Sequence, residues 1–140
     1  PRVLFLCTHN SARSQMAEAL LRVAGRGIEA ESAGTEATEV RPLALEALRE
    51  IGIDASAQTS KTLDRFLDQS FDYVITVCDA ANHACPTFPN AARREHWSLP
   101  DPSRATGTRE EQLQAYRDVR DDLELRIADL VRRMRADAGA

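Results

Sequence analysis

No apolar run in this sequence is long enough to cross a membrane. The longest spans only a few residues, against roughly 20 for a helix through the hydrocarbon core. Val3 to Leu6 is too short for the core of a signal peptide, and no cleavage pattern follows it. A cytoplasmic protein without a membrane partner is therefore expected. Nor does any block of like charge run far enough to track a phosphate backbone, and the formal charge is −4, so nucleic acid is not an expected partner. Cysteine is scarce: Cys7, Cys78 and Cys85 are the three in the chain. A secreted disulfide scaffold uses more of them, evenly paired. In a reducing cytosol, cysteines are instead buried thiols, metal ligands or redox catalysts. Aromatics make up only 5%, and repeats and low-complexity tracts are absent.

What is present fits one domain, residues 1–140, with a single sizeable core. Val3 to Leu6 is a continuous apolar run, the pattern of a parallel strand buried on both faces. A helix is expected from about 14 to 26, with Met16, Ala17, Leu20, Leu21 and Ala24 on one face and glycines at its end. A second strand is expected over 28–33, and a helix opened by Pro42 and stopped by Gly52. A short helix is expected over 61–67. FDYVITV at 71–77 reads as the clearest strand, and a fourth is expected over 94–97. Residues 98–108 are a loop, and 109–135 carries a helical stripe of Leu113, Tyr116, Leu123, Ile127, Leu130, Val131 and Met134. Strands alternating with helices predict an α/β fold, an open sheet with helices on both faces and a site beyond the carboxyl ends of the strands. Cys7 and Cys78 each stand where a strand ends.

Cys7 opens CTHNSARS, a C-x5-R-S pattern between the first strand and the first helix. Backbone N–H groups of such a loop, Thr8, His9, Asn10, Ser11, Ala12 and Arg13, together with those of the helix start, bind an anion. The same field favours a thiolate at Cys7. Arg13 adds a planar fork of donors for a tetrahedral oxyanion, and Ser14 is a hydroxyl donor for the thiolate. The combination is an activated nucleophile under an oxyanion cradle. The alternative is a buried structural cysteine beside a solvated arginine.

CTHNSARSQMAEAL resembles the loop of the low-molecular-weight tyrosine phosphatase fold, and within it the thioredoxin-coupled arsenate reductases. SAGT at 32–35, IDASAQTS at 53–60, FDYVITVCDAANHACP at 71–86 and REHWSLPDP at 94–102 resemble that family in the same order. The resemblance implies a three-layer fold, an open sheet of four parallel strands flanked by helices. It implies arsenate as substrate, with phosphate or sulfate as mimics, thioredoxin as the partner supplying reducing equivalents, no bound cofactor, and a monomer.

By the same resemblance, Cys7 attacks arsenic, Asp101 protonates the departing oxygen, and Cys78 attacks the Cys7 sulfur to release arsenite. Cys85 then closes a disulfide with Cys78, which thioredoxin reduces. On its own, Asp101 before a proline is equally a turn or cap residue. Cys78, His83 and Cys85 lack the paired spacing of a structural zinc site, so no metal is expected. Some family members hold potassium beneath the loop with Asn, Glu, Ser and Asp ligands. Asn10, Glu18 and Ser32 match three of them. The fourth position holds Lys61, the only lysine in the chain, whose ammonium would replace the metal charge; the alternative is a solvated side chain. His96 and Trp97 read as packing residues, and His9 as a solvated one. A helix over 79–84 would hold Cys78 and Cys85 too far apart to bond, so that segment is expected to open on oxidation. The competing functions are a phosphatase, which needs only Cys7, Arg13 and Asp101, and a thiol sensor or metal-binding module.

Overall fold

The computed structural model describes residues 1–77 and 91–139. Cys78, His83, Cys85 and the expected opening of 79–84 lie outside the described residues. Four strands form one parallel sheet: β1 (Arg2–Cys7), β2 (Glu29–Gly34), β3 (Phe71–Thr76) and β4 (Ala91–His96), in the order β2-β1-β3-β4. Among the described residues three α-helices accompany them, α1 (Arg13–Ala24), α2 (Pro42–Arg49) and α3 (Arg109–Gly139). Among the described residues, no helix is long and apolar enough to cross a membrane.

The apolar run of β1 is buried because it lies at the centre of the sheet, with alternate residues serving opposite faces. Val3 and Phe5 join Tyr73 and Ile75 in a core completed by Met16, Leu20 and Leu21 of α1, Leu48 of α2, and Leu123, Ile127 and Leu130 of α3. Leu4 and Leu6 face the other way, with Ala33, Phe71, Val74 and Phe66. Helices were expected on both faces. Among the described residues all three α-helices contribute to the first core, and a 3-10 turn, Leu63–Phe66, supplies Phe66 to the second. That turn replaces the short helix expected over 61–67. The last strand starts at Ala91, earlier than the expected 94, because its ladder with β3 begins at the pair Phe71–Ala91. As an edge strand it exposes Ala92 and Arg93, so no apolar alternation marks its start.

The ends of the helices follow local chemistry. Thr108 caps α3 reciprocally with Glu111: the Glu111 amide donates to Thr108 Oγ1 at 3.1 Å, and the Thr108 amide donates to Glu111 Oε1 at 3.2 Å. Pro42 opens α2, and Gly52, at φ +83°, turns the chain away after it.

Candidate active site

In the strand order β2-β1-β3-β4, the chain leaves β1 to one side and returns on the other, so the carboxyl end of β1 is a switch point of the sheet. Buried Cys7 ends β1 there. Its register partner is Gly34, the last residue of β2. A Cβ on Gly34 would lie 2.7 Å from Thr8 O, 2.8 Å from the Asn10 nitrogen and 2.8 Å from Cys7 O. Only glycine lets the loop after Cys7 pack this closely against β2. Sequence reasoning passed over Gly34, although its place at the end of SAGT, level with Cys7, was the available signal.

The loop is held from outside through its carbonyls. Thr8 O accepts from the Glu36 amide and Thr35 Oγ1, and His9 O accepts from Ser60 Oγ and Thr38 Oγ1. Asn10 O accepts from Gln15 Nε2, Ser11 O from the Arg41 amide, and Ala12 O from the Met16 amide. A trans peptide points its N–H opposite to its C=O, and no cis bond occurs among the described residues. Anchoring five successive carbonyls therefore turns the N–H groups of His9, Asn10, Ser11, Ala12 and Arg13 the other way, as donors of one anion-binding concavity. Asn10 makes the sharp bend at φ +49°, a left-handed conformation that asparagine tolerates better than most residues.

Beneath the loop lies a buried polar network. Asn10 Nδ2 donates to Ser14 Oγ at 2.9 Å, while Asn10 Oδ1 accepts from Gln15 Nε2 and from the Lys61 amide, each at 2.8 Å. Gln58 Nε2 donates in turn to Gln15 Oε1 at 2.7 Å. Buried Glu18 accepts from Ser32 Oγ at 2.6 Å, and the Lys61 ammonium stands 3.5 Å from its Oε1. Lys61 Nζ also donates to Thr59 O at 2.8 Å, and only 9% of its side chain is exposed. Asn10, Glu18, Ser32 and Lys61, singled out in the sequence, thus come together. Gln15 and Gln58 were not singled out, because a glutamine on a helix or in a loop carries no local signature.

Arg13 and Asp101 meet although they are far apart in sequence. Arg13 NH1 donates to Leu99 O at 3.0 Å, and NH2 lies 3.7 Å from Asp101 Oδ2. Asp101 Oδ1 accepts from the Ser103 amide at 3.0 Å and from Ser103 Oγ at 2.7 Å. Burial works to raise its carboxyl, but the bonds from Ser103 and the charges of Arg13 and Arg104 outweigh it and hold the group below the usual carboxylate range. Asp101 is therefore both the cap of the turn at Pro102–Arg104 and a partner of Arg13.

His9 turns outward, half-exposed, with Nε2 3.4 Å from Glu36 Oε2. His96 Nδ1 lies 2.7 Å from Thr76 Oγ1. Trp97 packs its buried ring 5.8 Å from that of Phe5 and donates to Glu95.

The profile of the low molecular weight phosphotyrosine protein phosphatases matches residues 2–139. The chain belongs to that family. A relative named arsenate reductase, from Halalkalibacterium halodurans, is 47% identical over 126 residues, which are 89% of this chain and 91% of the relative. The fold matches a solved arsenate reductase in its phosphate-binding state with a TM-score of 0.82 at 34% identity, covering 94% of this chain and 97% of that one. It also matches a thioredoxin-dependent arsenate reductase of Corynebacterium glutamicum, with a TM-score of 0.75 at 32% identity. That match covers 98% of this chain and 63% of the longer protein.

Proposed function

We propose that this chain reduces arsenate to arsenite through a relay of Cys7, Cys78 and Cys85, with thioredoxin as the final reductant. The observation that carries the reading is the ring of N–H groups turned inward over Cys7 by their anchored carbonyls. Such a cradle stabilises both a thiolate and a tetrahedral oxyanion. Relatives named as arsenate reductases, one of them thioredoxin-dependent, support the choice of substrate and reductant.

In this reading the Cys7 thiolate attacks arsenic(V) and one oxygen departs as water, taking its proton from Asp101. Asp101 is engaged as a carboxylate when the site is free. A bound dianion beside it opposes that charge, so the carboxyl takes up its proton with the substrate. Asn10 Nδ2 already donates to Ser14 Oγ, which leaves the Ser14 proton to be donated toward the Cys7 sulfur. The Cys78 thiolate then attacks the Cys7 sulfur. A sulfur–sulfur bond forms, the sulfur–arsenic pair stays on arsenic, and arsenite leaves. Cys85 attacks Cys78, freeing Cys7, and the thioredoxin dithiol reduces the resulting disulfide. Two thiols give up the two electrons that arsenic gains, so no bound cofactor is required. The relay needs a reducing compartment, the cytoplasm, and a monomer suffices for it. The Lys61 ammonium fills the place that potassium takes in some family members. With Glu18 already paired to it, the donor set does not fit a metal ion as well.

The second reading is a phosphatase, favoured by the same loop, Arg13 and Asp101. One pair of assays separates them: arsenate-dependent NADPH consumption with thioredoxin and its reductase, beside hydrolysis of an aryl phosphate. Cys7→Ser is expected to abolish both. Cys78→Ser is expected to abolish multiple-turnover reduction and spare hydrolysis. Reduction that survives Cys78→Ser would rule out the relay.

A further inference from the structure

We propose that Arg41 is a second, recruiting guanidinium that draws the oxyanion to the mouth of the loop before Arg13 and the backbone N–H groups hold it. The proposal rests on the anion-site reading above and adds a residue that the C-x5-R-S pattern does not contain. Arg41 caps the start of α2, and its amide donates to Ser11 O at 2.8 Å. Its backbone is therefore one hydrogen bond from the loop. With His9, Thr38 and Pro42 it lines a cleft of about 330 Å³ beside that loop. The side chain is exposed, and among the described residues none pairs with it, although Glu39 lines the same cleft.

Arg13 is differently placed. It is largely buried, and its guanidinium is committed to Leu99 O and Asp101. The buried Tyr116 phenol feels the charge of Arg41. Burial pushes that phenol up, the Arg41 charge pulls it back, and Asp101 adds to the rise. Arg41 and Asp101 thus lie within electrostatic reach of the same side chain, and Asp101 touches Arg13. A chain of net charge −4 repels a dianion at long range. A free cation at the rim reverses that field locally. At ~8 Å in water, one positive charge and a dianion attract enough to change affinity roughly five-fold.

The test is protection of Cys7 from iodoacetamide by inorganic phosphate, followed on the Cys7 peptide by mass spectrometry at several salt concentrations. Arg41→Gln is expected to weaken protection about five-fold at low salt, with the difference fading near 0.5 M salt, where charges are screened within a few ångströms. Arg41→Lys should restore most of the effect. Arg26→Gln, an exposed arginine between α1 and β2 at the opposite edge of the sheet, should leave protection unchanged. Equal protection in Arg41→Gln and the unmodified protein overturns the proposal, as does an equal loss in Arg41→Lys and Arg41→Gln, which would trace the effect to the shape of the cap. Absence of protection in the unmodified protein overturns the anion-site reading itself, and the proposal with it.

Discussion

Asp101 carries two demands on one carboxyl. As a cap it accepts from Ser103 and faces Arg13, and those partners favour its ionised form. As a general acid it must carry a proton when the Cys7 adduct forms. The bound dianion reconciles the two, and the consequence is a pH dependence. In the free protein, Asp101 gains its proton only below the usual carboxylate range, so activity that requires the proton falls as pH rises from there. Asp101→Asn keeps an acceptor for Ser103 but has no proton to give. It is expected to slow Cys7 adduct formation by roughly 10²–10⁴-fold, to remove the fall of the rate with rising pH, and to leave phosphate binding nearly intact. Rapid-quench measurement of the adduct against pH checks all three. A wild-type rate would leave Asp101 as a turn residue only.

At the scale of elements, the loop after β1 owes its form to what surrounds it. Gly34 stands against three backbone atoms of the loop, and backbone cannot yield as the tip of a long side chain can. Gly34→Ala is expected to destabilise the protein by roughly 1–3 kcal/mol, the usual scale of overpacking, and to lower phosphate affinity by pushing the N–H groups out of line. Thermal unfolding and phosphate titration read the two effects separately; wild-type values for both would show that the loop tolerates the extra methyl. Beneath the loop, the Lys61 ammonium balances Glu18 from inside the protein, so exchanging potassium for sodium should change neither melting temperature nor activity. Lys61→Asp replaces the ammonium with a carboxylate beside Glu18 and should create a potassium response in the melting temperature. A potassium effect on the unmodified protein would contradict the substitution.

For the molecule as a whole, α2 is clamped to α3 by charge. Arg117 and Arg120 both engage Glu50, and Arg120 also donates to Ala47 O at 2.8 Å. The hydrogen bond from Arg117, against the cost of burial and helped by Arg120, pulls the Glu50 carboxyl down to about 2. A depressed carboxylate stabilises the fold above its ordinary value and loses that contribution as pH falls through the depressed one. The melting temperature should therefore decline between about pH 4.5 and about 2, and Glu50→Gln should remove part of that slope while lowering the plateau near neutrality. Because Glu50 is solvent-accessible, the effect should shrink with added salt. An identical slope in both proteins would assign the acid sensitivity to other carboxylates.

Much of this was legible in the sequence, because it rests on spacing along one stretch of chain. The unbroken apolar run of β1 could be buried only at the centre of a sheet, and the helical stripe of α3 had one face to hide. Cys7, at the end of β1, and Arg13 and Ser14, at the start of α1, are joined by one short loop, so the covalent chain itself holds the nucleophile near its donors. The edge strand β4 was harder to place, since half-exposed residues leave no alternation to count. Tertiary structure brought Asp101 to Arg13, because that meeting depends on the order β2-β1-β3-β4, which places the carboxyl ends of remote strands on one edge. It alone chose Gly34 as the residue against which the loop packs. It also fixed which way the loop carbonyls point, and hence where the N–H groups converge. The direction of a peptide depends on partners elsewhere in the chain, and no local pattern of residues records them.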